Sequence, residues 1–240
     1  MEQQFNDRTQ ILLGQDATQR LSGMSVIVFG IGGVGSWCAE ALARTGIGNI
    51  TLVDNDVVSP SNINRQLVAL QSTIGMPKVE VMARRILDIN PRAHVTAVNQ
   101  RYNTETADEF NLGQYDYVVD AIDSLADKAL LILRATSSDT TLVSSMGAAL
   151  KTDPTRVSIA EFWKVEGCPL ARALRQRFKR SGIFPRHKFY CVYSPQLVPN
   201  LEPHQDHDGS SPNGSLIQVT AVFGMTLASI IINKIAQHTS

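Results

Sequence analysis

The sequence predicts an α/β fold, a doubly wound and mostly parallel sheet, and three observations carry that expectation. Apolar runs rich in Val and Ile alternate with helix-like stretches between residues 24 and 145. The run VIVF at 26–29 passes directly into the glycine-rich turn GIGGVG at 30–35. Asp54 closes the next apolar run, where a nucleotide-binding βαβ unit places the acid that meets the ribose.

Residues 24–30 read as the first strand and 34–44 as its helix. The second strand is NITLVD at 49–54. After a polar loop, PKVEVMARRILDI at 77–89 has helical periodicity with Pro in its first turn. Asn90-Pro91 stops it. A third strand at 94–98, a short helix at 104–110, a fourth strand at 115–122, a helix at 126–137 and a fifth strand at 141–145 continue the alternation. From Arg156 the character changes to a strand (VSIAEFW), a basic helix at 169–180 and a short strand (FYCVYS). The segment 198–215, rich in Pro, Asn, His, Asp, Gly and Ser, reads as a mobile loop. The apolar run 216–235 is interrupted by Gln218, Gly224, Asn233 and Lys234, so it reads as a buried helix and not a membrane span. No internal repeat is present.

Bulk properties narrow the function. Lys and Arg together number 22, as do Asp and Glu, so no global field draws the chain to nucleic acid or membrane and any basic patch is local. The first 20 residues are polar and mixed in charge, without the apolar core of a secretory peptide. Cys38, Cys168 and Cys191 are far apart and odd in number, which suits a reducing cytosol. No C-x-x-C pair offers a structural zinc site.

The glycine turn alone fits a dinucleotide. The segments that follow argue against one. Asp54 leads into DNDVVSPSNINRQ, then GMPKVE at 75–80, then DAIDS at 120–124. Hydride transfer needs no Arg and Lys at the phosphates and no carboxylate at the end of the fourth strand. Adenylation of a carboxylate needs all three: cations for the charge that builds on the triphosphate, and an acid for the magnesium bridging the phosphates.

The ordered series GIGGVGSW, ITLVDNDVVSPSNINRQ, GMPKVEVM and DAIDS resembles the ubiquitin-activating-enzyme-like adenylation proteins. These include the activators of sulfur carriers, and the resemblance is greatest to the tRNA threonylcarbamoyladenosine dehydratases. It is strong over residues 8–145 and looser through DPTRVSIA, CPLARALRQRF, CVYS and the last helix. It implies one adenylation domain over 1–240: a nucleotide-binding half at 1–150, Rossmann-like, and a C-terminal antiparallel extension at 151–240 that meets substrate and tRNA. It further implies that Gly30, Gly32, Gly33 and Gly35 shape an ATP turn, Asp54 binds ribose, Asn62, Arg65 and Lys78 contact phosphates, and Asp123 holds Mg2+. Asp123 and Ser124 also stand where the next helix needs a cap. Arg8, in RTQILLG, resembles a residue that reaches the other subunit's site, so a homodimer is implied.

Missing C-x-x-C pairs weaken the sulfur-carrier reading. Arg172, Arg175, Arg177, Lys179, Arg180, Arg186 and Lys188 are seven cations without an acid between them, a stripe suited to RNA phosphate. Phe178, Phe184, Phe189 and Tyr190 interleave with them and are candidates to stack on bases. The plain alternative is a solvated helix face with its aromatics in the core. The expected reaction is ATP-dependent cyclisation of N6-threonylcarbamoyladenosine through an acyl-adenylate, in the cytoplasm and without stable membrane insertion. The alternative is adenylation of the C-terminus of a ubiquitin-like or sulfur-carrier protein. The resemblance also allows a monovalent cation and a sulfur-relay partner, for which no residue stands out. Cys168 and Cys191 are the candidate thiols, and His204, Asp206, His207 and Asp208 a candidate metal cluster in the loop.

Overall fold

The computed structural model describes residues 5–202 and 212–237. Residues 203–211, with His204, Asp206, His207, Asp208 and the centre of the expected mobile loop, lie outside the described residues. Two helices come first, α1 (Asp7–Leu13) and α2 (Gln15–Gly23). The sequence gives no sign of α1 because this helix buries none of its residues and so carries no apolar stripe.

The alternating unit follows: β1 (Ser25–Phe29), α3 (Gly35–Thr45), β2 (Asn49–Val53), α4 (Lys78–Ile89) and β3 (His94–Val98). Then come β4 (Tyr117–Asp120), α5 (Leu125–Ala135) and β5 (Thr141–Ser145). The C-terminal part holds β6 (Ser158–Glu161), α6 (Pro169–Ser181), β7 (Tyr190–Tyr193) and α7 (Ile217–Gln237). Two details differ from expectation. Residues 104–110 contain only a 3-10 turn, Ala107–Glu109. Pro77 sits at the N-cap of α4 with ψ 129°, one residue before the first turn.

All seven strands form one sheet in the order β3-β2-β1-β4-β5-β7-β6. Every neighbouring pair is parallel except β6 with β7. Strand residues alternate between the two faces. Val26 and Val28 join α3, α4 and α7 in one apolar layer, whereas Ile27 and Phe29 join α5 and α6 in the other. All four are fully buried, each contributing about 1.5–3 kcal/mol by burial. The strand order reverses between β1 and β4, so the crevice above their C-terminal ends is where such a sheet takes a ligand.

α7 is long and apolar enough to cross a membrane by length and composition, with a mean hydropathy of 1.7. In this fold Phe223, Leu227 and Ile231 are instead buried against the sheet and α3. Contact between the two helices is backbone to backbone: a Cβ added at Gly224 would lie 2.4 Å from the Val34 carbonyl oxygen and 2.8 Å from the Cys38 nitrogen. Val34 is the last residue before α3, so α7 braces the glycine turn from behind. Gly224→Ala must push the helices apart and is expected to lower stability by about 1–3 kcal/mol, read by denaturant unfolding. An unchanged midpoint would mean that the contact is slack.

Candidate active site

β1 ends at Phe29 and the chain turns at Gly30 with φ 88°. The turn carries Gly32 and Gly33 past the cavity mouth and enters α3 at Gly35. Gly35 is buried and does not line the cavity: a Cβ there would stand 1.8 Å from the Gly30 carbonyl oxygen. Its service is close packing of turn on helix, and the N-terminus of α3 points into the space above.

Asp54 follows β2 and clamps that turn. Its carboxylate accepts the Ile31 N–H at 2.6 Å and the Asp56 N–H at 2.8 Å. Burial pushes its carboxyl above the ordinary range, against the pull of those two N–H groups and of Lys78. Asn62 ends a 3-10 turn and accepts the Ser59 N–H at 3.1 Å. Arg65 comes next on the cavity wall. Its guanidinium donates to the Ser61 carbonyl at 2.9 Å and to Asn64 Oδ1 at 2.8 Å, and no described acid pairs with it. Lys78, the first residue of α4, is buried and ion-paired to Asp56 at 2.7 Å.

The fourth strand ends in two acids with different fates. Asp120, the last residue of β4, is fully buried and meets the equally buried Lys128 of α5 at 2.9 Å. Lys128 also donates to the Ile122 carbonyl at 2.8 Å, and Asp120 accepts from Ser144 of β5 at 2.7 Å and from the Ile122 N–H at 3.2 Å. Asp123 is three residues on, exposed on the cavity wall, and makes no hydrogen bond among the described residues. Ser124, not Asp123, occupies the N-cap of α5, and its side chain makes no cap bond. The free carboxylate is therefore Asp123. No cluster of three or more metal-ligating side chains exists among the described residues. A free carboxylate on the cavity wall beside the glycine turn fits Mg2+, which binds through one or two carboxylates with phosphates and water completing the shell.

These groups share one cavity of about 880 Å³. It gathers Gly30, Gly32, Gly33, Asp54, Asn62, Arg65, Lys78 and Asp123. It extends across the strand ends to Gly147, Lys151, Cys168 and Leu170. Arg8, exposed on α1, does not line it.

The basic stripe lies apart from the cavity. Arg172, Arg177, Lys179, Arg180, Arg186 and Lys188 are exposed. Arg175 differs, since its guanidinium donates to the Phe162 and Val165 carbonyls at 3.1 and 2.8 Å and sits over the Phe162 ring. Two aromatics expected as stacking candidates are core residues. Phe178 lies on the apolar face of α6 with Ala171 and Leu174, and Phe189 stacks on Phe162 at 5.0 Å. Phe184 and Tyr190 are exposed.

Sequence reasoning missed Lys128 as the partner of Asp120, Asp56 as the partner of Lys78, and Lys151 altogether. A signal existed for Lys128: it stands three and four residues before Leu131 and Ile132, on the buried stripe of α5. Lys128→Met leaves Asp120 buried and unpaired. We expect it to cost about 3–5 kcal/mol in urea unfolding, with Asp120→Asn in the same chain restoring part of the loss. Equal stability of Lys128→Met and the parent would refute a structural role for the pair.

Comparison with known proteins sets this site in context. The ThiF family matches residues 6–240. The tRNA threonylcarbamoyladenosine dehydratase of Bacillus subtilis is 46% identical over 183 residues, spanning 76% of this chain and 72% of its own. The crystal structure of the Escherichia coli tRNA N6-threonylcarbamoyladenosine dehydratase in complex with ATP superposes with a TM-score of 0.85 at 38% identity, covering 96% of this chain and 93% of that one. The molybdopterin-synthase adenylyltransferase of Escherichia coli is 31% identical, over 77% of this chain and 69% of its own. With a match over nearly its whole length and the glycine turn, cations and free acid gathered in one cavity, this chain belongs to the ThiF family.

Proposed function

We propose that this chain is an ATP-dependent tRNA threonylcarbamoyladenosine dehydratase. The observation that carries the reading is the single cavity in which the glycine turn, Arg65, Lys78 and the unbonded Asp123 face one space. In this reading the turn at Gly30, Gly32 and Gly33, held by Gly35, cradles the phosphates of ATP. Asp54 takes the ribose hydroxyls. Asn62, Arg65 and Lys78 bind the phosphates, and Lys78 exchanges part of its contact with Asp56 for them. Asp123 holds Mg2+, which supplies neutralisation of phosphate charge when bound.

The threonyl carboxylate of the modified adenosine is a poor electrophile until it carries AMP. A carboxylate oxygen bonds to the α-phosphorus, the bond to pyrophosphate breaks, and pyrophosphate leaves. A carbamoyl atom of the same nucleoside then attacks the acyl carbon. AMP departs with the former carboxylate oxygen, and one carbamoyl N–H proton is released. Ring closure within one nucleoside has the large effective concentration of an intramolecular step. No thiol is needed. Cys38, Cys168 and Cys191 are all buried, and burial pushes the Cys38 and Cys191 thiols well above their usual range.

The partners follow the same logic. The exposed cations of α6 and of the turn after it are the tRNA-binding stripe, and Phe184 and Tyr190 are its stacking aromatics. Residues 151–240 form the extension that meets the RNA. α1 offers Ile11 and Leu12, both about four-fifths exposed at 80% and 82%, as part of a homodimer face from which Arg8 enters the partner's site. The protein works in the cytoplasm, and α7 stays packed in the fold.

Pyrophosphate release from ATP is expected to depend on tRNA carrying threonylcarbamoyladenosine, with the product nucleoside lighter by one water. Reversing Arg177, Lys179 and Arg180 to Glu should weaken tRNA binding by about tenfold or more and leave the KM for ATP unchanged. Release driven by the C-terminus of a small carrier protein, with tRNA inert, would overturn the dehydratase reading in favour of carrier adenylation.

A further inference from the structure

Lysines 78, 128 and 151 are the buried lysines among the described residues. The first two have carboxylates: Asp56 for Lys78 and Asp120 for Lys128. Lys151, only 2% exposed, has none among the described residues. Among the described residues its ammonium donates to one partner, the Gln196 carbonyl, at 2.6 Å. An ammonium carries three donors, so two remain. An uncompensated buried charge is costly, and burial pushes the Lys151 pKa down.

The backbone spends strain to hold this residue in place. Leu150 has φ 58°, the one positive φ outside glycine among the described residues. For a branched side chain that conformation is disfavoured and persists only where its surroundings fix it. They do so here. The Leu150 N–H donates to the Gly214 carbonyl and its own carbonyl accepts the Val198 N–H, both at 2.9 Å. The Gln196 side-chain oxygen then takes the N–H groups of Thr152 and Asp153 at 2.9 and 3.0 Å. Both neighbours of Lys151 are pinned, and its ammonium is tied to the same Gln196.

Its place in the cavity gives the reason. The nucleotide wall carries the acids Asp54, Asp56, Asp123 and Asp127 beside Arg65, Lys78 and Arg101. Beyond the end of β5 the lining continues through residues 145–151, 168–170 and 197, and Lys151 is the one charged side chain among them. Asp56 is paired with Lys78 and Asp127 with Arg101, which leaves Asp54 and Asp123 as the acids without an ion pair among the described residues, and an anion that enters past the end of β5 meets Lys151 as the cation there.

We propose that Lys151 receives the threonyl carboxylate of the substrate and holds it for attack on the α-phosphorus. The inference rests on the dehydratase reading and adds the residue that recognises the reacting group. Two free ammonium donors match two carboxylate oxygens, and the pair forms where water is excluded, so it gains strength from the low local dielectric. Adenylation removes the carboxylate charge, so the hold on the acyl group weakens once the mixed anhydride has formed.

The test uses an anticodon stem-loop carrying threonylcarbamoyladenosine and the same RNA with its threonyl carboxylate converted to the carboxamide. The wild-type protein is expected to bind the carboxylate RNA roughly 30-fold or more tightly than the carboxamide. Lys151→Gln, which can still donate to the Gln196 carbonyl, should lose that discrimination while its ATP affinity stays unchanged, and Lys151→Arg should keep part of it. Full discrimination in Lys151→Gln, or an equal loss for both RNAs together with ATP, would overturn the proposal. Equal binding of the two RNAs by the wild-type protein would overturn it without any variant. Failure of the wild-type protein to dehydrate the carboxylate RNA would instead refute the functional reading itself.

Discussion

Asp120 and Lys128 are both sealed from solvent and hold one another at 2.9 Å where β4 ends and the crevice begins. Such a pair is stable only when every remaining lone pair and proton is used. Here Ser144 and the Ile122 N–H add to the carboxylate's partners, and the Ile122 carbonyl takes a second ammonium proton. β4, β5, the loop at 121–124 and the start of α5 thereby become one rigid corner. Asp123 projects from that corner without a hydrogen bond among the described residues. A carboxylate tied up beneath and a carboxylate left free above give the crevice an ordered floor and an available ligand for a cation.

The opposite side of the glycine turn is fixed by packing. α7 lies so close to α3 that only hydrogen fits at Gly224, and Thr220 from the same helix reaches the cavity edge. The turn is held from behind by a helix, from below by the Asp54 carboxylate, and from the side by Gly35 against Gly30. Preorganised N–H donors and fixed cations stabilise developing phosphate charge without reorganising during reaction. Flexibility is not required of this half of the cavity. The remaining cations, Arg65 and the exposed stripe of α6, lack described acidic partners and suit anions that arrive from outside.

Much of this was legible in the sequence where one local rule decides. The strands at 94–98 and 141–145 match residue for residue. Gly30, Gly32, Gly33, Asp54, Asn62, Arg65, Lys78 and Asp123, named from the ordered motifs and their family resemblance, line one cavity, which gives their place and not their roles. Leu174 and Phe178, four residues apart on α6, share the buried face, so Phe178 follows helical spacing into the core and away from any base. Other features depend on contacts that no local window contains. α1 has no buried residue to leave a periodic mark. Asp120 and Asp123 look alike in DAIDS, and only Lys128 and Ser144, 8 and 24 positions away from Asp120, separate them. Lys151 reads as an ordinary cation in a loop until Leu150, Gln196 and Gly214 are seen to converge on it.

In the dehydratase reading a substrate carboxylate, and not water or a hydroxyl, attacks the α-phosphorus of ATP in this cavity. Labelling both oxygens of the threonyl carboxylate with heavy oxygen and analysing the AMP formed tests it directly. One labelled oxygen in AMP per product nucleoside is the predicted result, because the bridging oxygen of the acyl-adenylate leaves with the phosphorus. AMP free of label, or ADP and labelled phosphate in its place, would contradict it and require activation by a different phosphoryl transfer.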